Sequence, residues 1–133
     1  MTDLHRALYA FWHERFKTMD GAPVPAYLTG HVPDTAAFPY LTFEVVQGAA
    51  FSLSFLTATV WLRAQSGANV NAQRAHILDQ VAAAIPHGGA RLDVGGGAVS
   101  LYRNDGNFLS YVTDEDDPSV VGGRISYQIN YYL

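Results

Sequence analysis

Five histidines, His5, His13, His31, His76 and His87, carry the imidazoles that this chain could offer to a metal ion or to proton transfer. None stands four residues from another, no H-E-x-x-H occurs, and no carboxylate accompanies them at a recognisable ligand spacing. They read as surface or interface residues. The acidic run Asp114-Glu115-Asp116-Asp117 has oxygen ligands suited to Ca²⁺, but the glycine turn and final glutamate of a calcium loop are missing. A solvated charged loop is the favoured reading, with a basic patch on a partner as a further use for it. Gly95-Gly96-Gly97 precedes a strand-like A-V-S-L-Y, whereas an anion cradle needs a helix N-terminus there, so a hairpin turn fits better. Serine, histidine and aspartate occur without a G-x-S-x-G elbow, which leaves a nucleophilic triad unsupported. Trp12 and Trp61, with Phe11 and Phe55, could line a ligand pocket; packing between the first helix and a long hairpin is the commoner use of such rings. The residues point to no catalytic group, no cofactor and no metal.

The totals narrow the classes further. With 8 Lys+Arg against 12 Asp+Glu the formal charge is −4, so nothing draws a phosphate backbone or an anionic membrane to the chain. Direct nucleic-acid binding is not expected. The absence of cysteine removes disulfides and thiolate metal sites. The opening T-D-L-H-R-A-L has neither a basic region before an apolar run nor a cleavage site, and no window is long and apolar enough for a membrane span. The expectation is a cytosolic start. Charged residues are 15 % where about 25 % is usual, and aromatics reach 13 %. One molecule then has little polar surface with which to cover itself, a hint of self-assembly, although a run of core aromatics would also account for it. At 133 residues the chain suits one domain spanning residues 1–133.

Periodicity supplies the elements that must position these groups. Asp3 to Met19 predicts a helix, capped by Thr2 or Asp3, with Leu4, Leu8, Phe11, Trp12, Phe16 and Met19 on one stripe. Asp20-Gly21-Ala22-Pro23 closes it and opens an irregular passage with room for a short strand at Val24 to Leu28. Phe38 to Gln47 and Phe51 to Gln65 alternate as strands and should pair as an antiparallel hairpin around Gly48-Ala49-Ala50. The hairpin face carrying Phe55 and Trp61 among threonines must pack on a helix or meet another subunit. Asn69 or Asn71 caps a second helix whose buried stripe is Val70, Ile77, Leu78, Val81 and Ile85, opposite Gln73, His76, Asp79 and Gln80. Ala90 to Val94, Ala98 to Arg103 and Phe108 to Thr113 follow as short strands. Gly123 to Leu133 alternates Ile125, Tyr127, Ile129, Tyr131 and Leu133 against Arg124, Ser126, Gln128 and Asn130, a half-buried strand whose register constrains the rest. The expected class is α+β: an antiparallel sheet of four or more strands with two helices mostly on one face.

The runs F-P-Y-L-T-F-E-V-V (38–46), V-W-L-R (60–63), I-L-D-Q-V-A-A-A-I-P (77–86), L-Y-R (101–103) and G-G-R-I-S-Y-Q-I-N-Y-Y (122–132) follow one another in this order. In that pattern the chain resembles the minor tail, or tail-completion, proteins of long-tailed bacteriophages and prophages, relatives in fold of the tail terminators. The resemblance runs from about Leu4 to Leu133 and rests on strand and helix patterns. It implies a tail-terminator-like α+β structural subunit that forms a ring, often of six, at the end of the tail tube. It further implies contacts with tail tube and head-tail connector proteins, a place in the virion tail or neck after assembly in the bacterial host cytoplasm, and no catalytic residues. On that reading Phe55, Trp61, Arg63, Tyr131 and Tyr132 make subunit contacts, and Asp114, Glu115, Asp116 and Asp117 face the lumen or an axial partner. The competing expectation is a small α+β enzyme or ligand-binding domain with a pocket between the first helix and the sheet, marked by a cluster of Tyr, His and Asp.

Overall fold

Apolar residues at every second position of the final strand and its neighbours leave one sheet face dry, and that face sets the register of the whole. The computed structural model describes residues 3–47, 54–63, 70–85, 89–94, 97–103, 109–117 and 119–132. The expected cap at Thr2, His87, the turns at 48–50, 95–96 and 104–107, the helix entry at 66–69, and Leu133 lie outside the described residues.

The elements are α1 (Asp3–Trp12), β1 (Ala26–Leu28), β2 (Tyr40–Gln47), β3 (Ser54–Arg63), α2 (Val70–Ala84), β4 (Ala90–Val94), β5 (Gly97–Arg103), β6 (Leu109–Thr113) and β7 (Val120–Tyr132). They form an α+β fold with one sheet in the order β1-β2-β3-β7-β5-β4, and β6 also pairs with β7. All pairings are antiparallel except β1 with β2, which is parallel. The final strand is therefore central. On one side it meets β3, from Val120 opposite Arg63 to Ile129 opposite Ser54. On its other side β6 holds Val121 to Ile125 and β5 holds Tyr127 to Tyr132, so two short strands share one long edge.

β7 begins at Val120, three residues before the expected start at Gly123. Gly122 and Gly123 are extended and paired on both sides, because the ladders to β3 and β6 outweigh the turn preference of a glycine pair. Both helices cover one face. Leu4, Leu8 and Trp12 of α1, with Ile77, Leu78 and Val81 of α2, pack onto Leu41, Phe43, Leu56, Ala58, Val60, Ile125, Tyr127 and Ile129. Each fully buried large apolar side chain contributes roughly 1.5–3 kcal/mol. A side-chain carbon at Gly123 would collide with Leu78, so α2 lies directly on β7 at that point.

The first helix is shorter than its stripe predicts. It stops at Trp12, Glu14 takes a left-handed backbone (φ 57°), and the chain reverses as a narrow ribbon. Glu14 N–H donates to Val24 C=O at 3.1 Å, Val24 N–H donates to Phe16 C=O at 2.8 Å, and Lys17 bridges Pro23. Two glutamines expected on the outer face of α2 hold this ribbon. Gln80 accepts from Lys17 N–H at 3.0 Å and donates to Lys17 C=O at 2.7 Å, while Gln73 accepts from Met19 N–H at 2.8 Å. Supplying these bonds from a second helix removes the advantage of continuing the first. Phe16 stays buried 5.6 Å from the Trp12 ring, whereas Met19, expected on the stripe, is 59 % exposed.

Candidate functional site

The face of the sheet opposite the helices is where three of the predicted contact residues, Phe55, Trp61 and Arg63, fall. Alternation puts Tyr40, Thr42, Glu44 and Val46 of β2 there, beside Phe55, Thr57, Thr59, Trp61 and Arg63 of β3 and Gly122, Arg124, Ser126 and Gln128 of β7. Among the described residues no helix packs on it. Trp61 therefore does not enter the core with Trp12; the two tryptophans lie on opposite faces, Trp12 fully buried against Phe16 and Tyr127. Expecting both in one helix-hairpin contact overlooked that Trp61 has the parity of Thr59, not of Val60.

Trp61 is held in place by its neighbours. Its Nε1–H donates to Thr42 Oγ1 at 3.0 Å, and its ring borders the space where a side chain at Gly122 would stand. One row further, Arg63 Nη1 lies 3.0 Å from Asp117 Oδ2 and 3.3 Å from Ser119 Oγ, with its guanidinium 5.0 Å from the centre of the Phe38 ring. Phe38 stacks on Tyr40 at 5.0 Å, and Tyr27 meets Tyr40 edge-on at 5.9 Å. Burial pushes the Tyr40 phenol up from its ordinary value; the negative charge of Asp114 adds to this and Arg63 opposes it.

Two groups expected to serve separate contacts are thus brought together. Arg63 meets Asp117 at one end of the face, and Asp114 acts there on Tyr40, the ladder partner of Trp61. Phe55 lies six residues back along β3, about 20 Å away, and Tyr131 and Tyr132 pair with Val99 and Ala98 of β5 beyond it. Within the acidic loop, Asp114 Oδ1 accepts from Asp116 N–H at 2.8 Å, and Asp117 Oδ1 accepts from Ser119 N–H at 3.0 Å and its hydroxyl at 2.6 Å. Those bonds, the hydroxyl's first, hold the Asp117 carboxyl below the usual carboxylate range. Asp114 and Asp117 cap turns, and Glu115 and Asp116 are exposed. Among the described residues no three His, Asp or Glu side chains gather as a metal site. Phe38, Tyr40, Thr42, Ser119 and Gly122 complete the cluster and were not singled out, since only the strand register brings them level with Trp61 and Arg63.

A recess lies between α1 and β1. Tyr9, Tyr27, Leu28 and His31 line this recess of about 400 Å³. The Tyr9 ring stacks on His13 at 4.6 Å, and His13 Nδ1 accepts from Ala26 N–H at 3.2 Å, which ties the helix to the edge strand. Rings and an imidazole are present there, without a carboxylate among the lining residues.

No helix among the described residues is long and apolar enough to cross a membrane. Compared with known protein families and with curated proteins, the chain matches none.

Proposed function

We propose that this protein is a structural subunit of a bacteriophage or prophage tail, of tail-terminator-like fold, which forms a ring at the end of the tail tube and joins it to the neck. The observation carrying this reading is the sheet face left without a helix, where Trp61, Tyr40, Phe55 and the 52 % exposed Val46 stand among threonines. A face with large rings and few charges is suited to burial against neighbours, as interface cores are depleted in charge and enriched in aromatics. The strand and helix runs that carry the resemblance occupy β2, β3, α2, β5 and β7 in sequence order. In this role the partners are further copies of the chain, the tail tube protein and head-tail connector proteins, with no direct contact to nucleic acid or membrane. The protein works in the virion tail or neck, is put together in the host cytoplasm, and catalyses no reaction. The test is negative-stain imaging of the purified protein, alone and mixed with tail tubes: ring-shaped particles or capped tube ends are expected. Tubes that grow unchanged and uncapped in its presence overturn the assignment.

The recess between α1 and β1 favours a second reading, a small ligand-binding domain. Its rings are each backed by another ring, Tyr9 by His13 and Tyr27 by Tyr40. Saturable binding of a small molecule that Tyr9→Ala abolishes, with no assembly on tubes, would replace the tail reading by this one.

A further inference from the structure

The middle of the open face carries two exposed charges, Glu44 on β2 and Arg124 on β7, which have no ionic partner among the described residues. The other described charges on the face are engaged: Arg63 with Asp117 at 3.0 Å, Arg91 with Asp93 at 3.8 Å. β2 and β7 are the two neighbours of β3; Glu44 is level with Thr57 and Arg124 with Thr59. The two charges therefore flank β3 on opposite sides, one row apart.

We propose that the open face packs against the same face of a second copy about a two-fold axis running along β3, with each Glu44 pairing with Arg124 of the other copy. Such an axis lays β2 of one copy over β7 of the other. The remaining offset is two residues along a strand, about 7 Å, which an arginine side chain spans between sheets packed about 10 Å apart. Thr57, half-buried, meets its own counterpart on the axis, while Thr59, only 5 % exposed, lies beneath the contact. The face supplies both members of its own ion pair, which favours a second copy over an unrelated partner, because an isologous contact must be self-complementary. Four strands and eight residues of length give a footprint of roughly 19 by 26 Å. Corrugation of the side chains brings the total accessible area buried by two copies above about 1,000 Å², enough for a specific interface. This pairing describes the free protein and stops at two copies; it covers the face on which the ring reading rests, so the dimer must open before a ring, whose contact does not close at two, can form.

The experiment is light scattering on the purified chain, with circular dichroism as the folding control. The expected mass is twice 14.5 kDa, or 29 kDa. Glu44→Arg and Arg124→Glu should each weaken the dimer by about tenfold or more, because each sets like charges against one another twice, and combining them should restore it. If the double variant fails to fold, Thr57→Arg, which places like charges across the axis, must dissociate the dimer instead. A monomeric wild type, a dimer indifferent to the single changes, or a double variant that stays weak while folded overturns the pairing. Rings that ignore the charge swaps overturn it while leaving the tail reading intact; a swap-sensitive dimer that never caps a tube does the reverse.

Discussion

Arg63 and Asp117 form an ion pair at 3.0 Å that joins the end of β3 to the turn entering β7, across 54 residues of chain. The same guanidinium touches Ser119 and covers the Phe38 ring, so one exposed side chain ties together the strand end, the acidic loop and the aromatic row.

Asp117 should respond to acid in a defined direction. Its carboxyl is held low chiefly by the Ser119 hydroxyl and N–H, with Arg63 adding less. A carboxyl depressed in the folded state contributes stability above its unfolded pKa, and that contribution disappears as pH falls through the folded pKa. A carbon-detected NMR titration should therefore give Asp117 a lower midpoint in the wild type than in Ser119→Ala. Equal midpoints would remove the hydroxyl as the cause.

Gly123 and Leu78 test where α2 sits. Gly123→Ala drives a methyl into the Leu78 side chain and should cost about 1–3 kcal/mol in urea unfolding, as overpacking does. In a Leu78→Ala background the same change should cost much less, because residues in contact do not act additively. Two losses that simply add would place the helix elsewhere.

Trp12 is fully buried, and its Nε1–H has no hydrogen-bond partner. Trp12→Phe gives up ring volume and also removes an unsatisfied donor, two effects of opposite sign, so the net loss should stay under about 1.5 kcal/mol. Trp12→Ala should lose about 3–5 kcal/mol through the cavity it leaves. Similar losses for the two variants would show that the indole N–H is bonded in solution.

Trp61 and Asp116 separate the open face from its charged rim. Trp61→Ala removes a half-buried ring and its bond to Thr42, and should cost about 1–3 kcal/mol as well as weaken self-association. Asp116→Asn changes an exposed side chain whose backbone N–H, not its carboxylate, carries the local bond, so unfolding should shift by less than about 0.5 kcal/mol. A Trp61→Ala protein that folds and associates like the wild type would exclude the face from assembly.

The strands were legible in the sequence to within a few residues because alternation is a local property. Ile125, Tyr127 and Ile129 could face only one way, and so could Leu56, Ala58 and Val60. The stripe of α2 was legible for the same reason, with Ile77, Leu78 and Val81 buried as their spacing requires. The end of α1 was not, since the signal that stops it comes from Gln73 and Gln80, more than fifty residues downstream. The meeting of Arg63 with Asp117 was equally hidden: it depends on β7 lying between β3 and β6, an order that no neighbouring residues encode.

By itself the sequence determined the class of elements, the parity of each strand and hence which residues share a face, because side-chain direction follows from backbone period alone. Only the tertiary structure decided that β7 is central and that the Trp61 face is left open. Those choices arise from strand order and register, which are set by the summed burial of the whole core and leave no trace in any short window.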